Sequence, residues 1–567
     1  MTKERILQYI RETPHNANVN VVSGMLDGIE GGGGDLFKQY VEEGLSSIYD
    51  SSITRINEYT FNYNSLVDVT FLKASEIGSY AFGNCSNLTN CDFPSVTHIG
   101  SWAFANCLRL TTISFPLAEF INAYAFSHCQ SLTNISFPRV TSIEYDAFYG
   151  CDKLVSVSFP LVETIGNYAF QYCSSLSEAY FPLTRTITSG AFADCSNLTT
   201  ANFPLAETIE SRAFDGCFKL NTISFPLVNI IEAYAFRSCN SLVEIDFSLV
   251  STIGSSAFRQ CSNLTTINFP LAKNIGNDAF SNCTNLITAN ISNVETIGGS
   301  AFYYCYNLSN INMLSVKTIG ATAFYSCQGL TNINLPAIET IGTNAFRYCS
   351  NLINAYISTA SDIGDYAFGN CNNLSYVSLQ NAKIIRNYAF NSCFSLTSII
   401  APNVESIESY VFNNCTNLTT AKFSELSNIG SFAFYNCAQL SSISFPKVTA
   451  IFTGAFTYCK KLSTVNFPLV ETIASSAFNN CTSLKKAYFS VVSEIGASAF
   501  TSCASLFSLY LYGSSIARLV NANAFYKTPM SVSVSGSYGS IYVLSSLYSS
   551  YLTASTWSYY KSRIVSM

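Results

Sequence analysis

A cysteine returns every 22 residues along most of the chain, and few folds can satisfy that spacing. The series runs Cys85, Cys107, Cys129, Cys151, Cys173, Cys195, Cys217, Cys239, Cys261, Cys283, Cys305, Cys327, Cys349, Cys371, Cys393, Cys415, Cys437, Cys459, Cys481 and Cys503. Of the 21 cysteines only Cys91 falls outside it. A fixed period of 20 to 50 residues is the mark of stacked repeats, in which each unit buries its apolar face against its neighbours. The 567 residues are therefore read as coils rather than as several globular domains.

The unit is I-G-x-x-A-F-x-x-C-x-x-L-x-x-I-x-F-P with four variable residues before the next Ile. Phe holds the anchor slot from Phe82 to Phe500 at 22-residue steps, with outer copies at Phe61 and Phe525, which makes 22 units. In "LTTISF" the alternation places Leu110, Ile113 and Phe115 inward and Thr112 and Ser114 outward, the pattern of a short half-buried strand. Twelve of the 14 prolines follow that strand, where a residue without an N–H ends the ladder. A second short extended piece such as "VETIG" comes next, and the A-F-x-x-C segment is expected to form a helical turn.

This pattern resembles the leucine-rich repeats of the BspA-like family over residues 51 to 528. The resemblance implies a right-handed leucine-rich-repeat solenoid of about 22 coils, mainly short β-strands plus short helical turns. It also implies the family's occupations: bacterial or protozoan surface proteins and products of phage tail regions, which bind rather than catalyse.

The ends depart from the repeat. Residues 1 to 34 read as two short helices, with Ile6, Leu7 and Ile10 on one face and Val22, Met25, Leu26 and Ile29 on another, closed by a Gly hinge at 31 to 34. This segment is a candidate for docking to an assembly partner. Residues 35 to 50 are expected to supply a cap helix, and 529 to 567 a carboxy-terminal cap of strand and aromatic helix, since an open solenoid end exposes its core.

Only 11% of residues are charged, the net charge is -6, and no basic stripe is present, which argues against nucleic-acid binding. No run approaches the roughly 18 apolar residues of a membrane span, and the charged amino terminus does not read as a signal peptide. With neither signal nor anchor, a virion-associated protein or an unconventionally exported surface protein is the expected location. Cofactors are not expected. Catalysis finds no phosphate loop, nucleophile elbow or metal-ligand spacing, and His15, His98 and His128 occupy unrelated slots.

The cysteines read as a ladder of free buried thiols, each a small apolar side chain with a weak donor, and Cys91 as a core residue in the Ile slot. The candidate binding residues are aromatic. The slot before Ala-Phe holds Tyr80, Trp102 and Tyr124 in three successive coils and Tyr366, Tyr388, Tyr410 and Phe432 in four. A second group, Tyr303, Tyr304, Tyr306, Tyr325 and Tyr348, gathers near the helical turns, and Tyr180, Tyr356 and Tyr488 lie on the strand face. Such rows suit a host-surface protein or glycan. They equally suit packing between coils in a structural spacer or decoration protein.

Overall fold

In the computed structural model the described residues are 46–531 and 538–567. They fall into two compact units, one ending at Ala272 with Asn282–Thr284 added, the other comprising Lys273–Ser281 and Asn285–Met567. The helices and hinge expected in residues 1 to 34 lie outside the described residues, as does most of the cap at 35 to 50. The end of that cap, Ser47–Asp50, is a strand paired in parallel with Asp68–Phe71.

Both units are parallel β-solenoids built from the same coil. Two strand rows run through each. In the first row a three-residue strand such as Thr112–Ser114 buries Ile113 and exposes its neighbours, and it pairs with Asn134–Ser136 one coil on. In the second row a two-residue strand such as Thr164–Ile165 turns Thr outward and Ile inward, pairing in register with Ser142–Ile143. Every offset is one repeat, so each interior slot stacks on its own copy.

The A-F-x-x-C segment is not helical, which corrects the expectation of helical turns. An α-helix sends each N–H to the carbonyl four residues back. Here alternate N–H groups leave the coil: Tyr80 donates to Ser101 O at 2.9 Å, Phe82 to Ala103 O at 2.7 Å and Asn84 to Ala105 O at 2.7 Å. The groups between them close local turns, Ala81 to Gly78 O and Cys85 to Phe82 O. The alternation forces left-handed backbone on Tyr80 (φ 56°) and Asn84 (φ 62°), and it recurs in the corresponding slots of later coils. The segment is thus a third inter-coil ladder.

The core follows from stacking these slots. Phe82 lies 5.2 Å from Phe104 at 8° between planes, and in the second unit Phe346 lies 5.3 Å from Phe368 at 8°. A second Phe column, Phe93 on Phe115 at 5.7 Å, packs tilted or edge-on against the first. At the carboxy end the strand Ser540–Val543, helix Tyr548–Thr553, 3-10 turn Trp557–Arg563 and strand Ile564–Ser566 close the second unit. Trp557 is buried with its Nε1–H on Ala517 O at 2.6 Å, and the Ala517 N–H donates to the Tyr551 hydroxyl at 3.0 Å. The last second-row strand, Arg518–Leu519, is covered in this way.

Candidate functional site

The inter-coil ladder decides where the aromatic side chains go. Tyr366, Tyr388, Tyr410 and Phe432 all have φ between 52° and 60°, and each donates its N–H to the next coil, Tyr388 to Ser409 O at 3.0 Å. Identical backbone in successive coils aims the rings the same way. Tyr366 stacks on Tyr388 at 4.5 Å and 2°, Tyr388 on Tyr410 at 4.6 Å and 3°, and Tyr410 on Phe432 at 4.9 Å and 17°. The Arg347 guanidinium covers the free face of Tyr366 at 4.3 Å. At the other end Phe432 lies on Gly454, itself left-handed at φ 63°, where a β-carbon would overlap the ring. Each ring face in the row is therefore occupied, and the rings are half-buried. They present edges and hydroxyls outward. Burial, followed by the neighbouring tyrosines, raises the Tyr388 hydroxyl above its ordinary pKa.

The amino-terminal row is longer than the sequence suggests. Tyr59 stacks on Tyr80 at 4.9 Å, Tyr80 on Trp102 at 5.6 Å and Trp102 on Tyr124 at 3.9 Å, and Tyr145 closes the row edge-on at 5.1 Å. Tyr59 escapes notice because its coil is one residue short. The second group also assembles: Tyr303 meets Tyr304 at 4.1 Å and Tyr325 at 5.1 Å, and Tyr325 meets Tyr348 edge-on at 5.3 Å. A hydrogen bond with Tyr304 and then burial push the Tyr303 hydroxyl up to about 12. Arg347, 4.9 Å from the Tyr348 ring, joins this group to the Tyr366 row.

On the strand face the three tyrosines part company. Tyr180 stands exposed. Tyr356 approaches Tyr376 at 5.6 Å. Tyr488 begins a stack with Tyr510 and Tyr542, each step 4.6 Å and 9°. Tyr510 lies one 22-residue period after Tyr488, whereas Tyr542 is off the period and is brought into register by the strand pairing.

All 20 ladder cysteines are free and buried. Each thiol donates to a phenylalanine carbonyl of the preceding coil, Cys107 to Phe82 O at 3.2 Å and Cys503 to Phe478 O at 3.0 Å. That carbonyl already accepts the N–H of its own coil's cysteine, so the thiol fills its second lone pair. Burial pushes the thiols of Cys85, Cys129, Cys261 and Cys415 up to about 12. Cys91 sits in the first strand row opposite Val69 and is half-buried. His98 approaches Phe120, and His128 lies edge-on to Tyr149 at 5.2 Å, with the two histidines in different rows. Among the described residues no group of three or more His, Cys, Asp or Glu is placed to hold a metal ion, and no helix is long and apolar enough to cross a membrane.

A strand, a proline turn, a second strand and a Phe-Cys arch, repeated every 22 residues in each unit, define a leucine-rich-repeat solenoid. The chain belongs to the family described as BspA type leucine rich repeat region (6 copies), whose profile matches residues 44–120, 117–221, 207–328, 295–419, 383–507 and 427–537. Among solved structures it is similar to a leucine-rich repeat protein from Bacteroides ovatus, at 24% identity over 64% of this chain and 91% of that one, with a TM-score of 0.40. It is also similar to a leucine rich repeat protein of T. pallidum, at 26% identity over 31% of this chain and 77% of that one, TM-score 0.25. A leucine rich cell surface protein from Faecalibacterium prausnitzii is 21% identical over 70% of this chain and 86% of that one, TM-score 0.25. No curated protein matches the chain.

Proposed function

We propose that this protein is a non-enzymatic recognition scaffold that meets a host-surface protein or glycan through the first strand row of its second unit. One observation carries the reading. Tyr356 and Tyr376, each 47% exposed, and Ile400, 53% exposed, stand outward on the strands Asn354–Tyr356, Tyr376–Ser378 and Ser398–Ile400, with no described element over them. The slot of Tyr356 and Ile400 elsewhere holds Ser114, Ser158 and Ser444, and the slot of Tyr376 holds Thr112, Ser156 and Ser442, so folding does not ask for large apolar groups there. Clustered aromatic and aliphatic side chains beside hydrogen-bonding groups form the usual centre of a binding patch. The amide of Asn354, donating to Asn332 Oδ1 at 2.7 Å, supplies the polar edge. The hydroxyl edges of Tyr366, Tyr388 and Tyr410 add a second row for the same ligand. By the resemblance of its repeats, the scaffold is carried on a virion tail or a bacterial surface, with residues 1 to 34 docking it to that assembly.

A spacer reading has its own support, since the row from Arg347 to Gly454 closes on itself. Binding of the purified chain to immobilised glycans and to intact bacterial and epithelial cells separates the two. The triple change Tyr356→Ser, Tyr376→Ser, Ile400→Ser is expected to weaken that binding at least ~10-fold with an unchanged melting curve. Undiminished binding would remove the strand patch, and no binding by the intact chain would leave the spacer.

A further inference from the structure

The 22-residue repeat acts as its own control: what every coil shares is needed for folding, and what only a run of coils carries is not. The slot after the proline, at the corner between the two strand rows, illustrates the second case. In the first unit it holds Leu161, Leu183, Leu205, Leu227, Leu249 and Leu271, one in each of six successive coils. Five of them are 38–49% exposed, and Leu205 is half-buried. Elsewhere the same slot carries Lys73, Ser95, Arg139, Asn381, Glu425 and Lys447, so the solenoid folds with polar or charged groups there. Six leucines in line, five exposed and Leu205 half-buried, form an apolar ridge, and such patches mark contact surfaces.

We infer that this ridge is a self-association surface that packs against the same ridge of a second copy, the two running antiparallel about a two-fold axis between Leu205 and Leu227. Two observations choose this occupant. The first is spacing: coils stacked as strands repeat every 4.8 Å or so, and a second copy has the same repeat, so leucine faces leucine along all six coils. A helix, with its pitch of about 5.4 Å, drifts out of step over that length. The second is charge. The row beside the ridge reads Glu163, Arg185, Glu207, Asn229 and Ser251. Antiparallel pairing sets Arg185 against Ser251 and Glu207 against Asn229, so no like charges meet among these four. The interface is isologous, each patch meeting itself, as a two-fold axis requires. A groove of about 470 Å³ lined by Leu183, Leu205, Ile165, Glu163 and Arg185, with threonines between them, runs beside the ridge.

The experiment uses the full chain in sedimentation velocity, with the paired changes Leu205→Ser and Leu227→Ser, residues the slot tolerates elsewhere. The intact chain is expected to dimerise at micromolar concentration, and the double variant to raise the dissociation constant at least ~100-fold, two tenfold losses, with an unchanged melting curve. For orientation, a copy carrying Leu161→Cys is mixed with one carrying Leu271→Cys and treated with a short bis-maleimide. Cross-linking between unlike copies and not between like ones is the predicted result. A monomer at 100 μM or so, a dimer indifferent to the two serines, or cross-links only between like copies would each overturn the proposal.

Discussion

Two stretches of the second unit have the same backbone and the same interior yet dress their outer arch differently. In one, Ser300, Thr322 and Asn344 hold the left-handed slot at φ 55°, 56° and 57°. In the other, Tyr366, Tyr388 and Tyr410 hold it at 52°, 58° and 60°. The first links neighbouring coils by a hydrogen bond, Ser300 Oγ to Thr322 Oγ1 at 2.7 Å, and the second by ring stacking. Such a conformation is unfavourable for residues other than glycine by about 1–2 kcal/mol, yet neither stretch uses glycine. The inter-coil N–H bonds impose the geometry, and the side chain is left free to vary. Interior slots have no such freedom.

The largest expected effect tests whether the two stretches share one interior. Because burial raises the folded thiol pKa to about 12 at Cys415 against an unfolded value of about 8.5, the thiols contribute stability that is complete below pH 8.5 or so. It is lost as the pH rises toward 12. By pH 10 the loss at Cys415 is about 1–2 kcal/mol, and the raised thiols of Cys327, Cys349, Cys371 and Cys393 add to it. Alkaline unfolding followed by hydrogen exchange should strike both stretches together. If the serine stretch opened well before the tyrosine stretch, ring stacking would be a principal source of stability.

Next comes the interior phenylalanine. Phe324→Ala beneath the first stretch and Phe390→Ala beneath the second should each cost about 3–5 kcal/mol, because both rings are fully buried and stack on neighbours at about 5 Å. Unequal losses measured by denaturant unfolding would show that the outer row reinforces the core. A smaller effect falls at the end of the tyrosine row. Gly454→Ala should cost about 1–2 kcal/mol, part of it relieved in a Phe432→Ser background that removes the overlapping ring. A double-mutant cycle in melting free energy with no coupling would separate the glycine from the row.

The sequence disclosed what repeats at the period and hid what depends on neighbours in space. Ile113 inward, Thr112 outward, the proline turn and the thiol column were all legible, since each is a slot with one occupant type. The arch was misread as helical because the partner of the Phe82 N–H, Ala103 O, lies 21 residues away, beyond any local pattern. Ring faces at Tyr366 and Phe432 could not be judged exposed or covered without Arg347 and Gly454 in place. Tyr59 and Tyr542 stand off the 22-residue period, and the leucine ridge lay in positions that looked merely variable.

The smallest effect, and the one that bears on the central claim, concerns Tyr388, two residues from Phe390 in one coil. The account holds that the interior column makes the fold and the outer row is optional. Tyr388→Ser should cost only about 1 kcal/mol, the worth of aromatic stacking, because serine already fills this slot at Ser300. Native-state hydrogen exchange across residues 384 to 412 in Tyr388→Ser and in Phe390→Ala compares the two directly. The account predicts near-intact protection in the first variant and collapse in the second; equal loss of protection in both would contradict it.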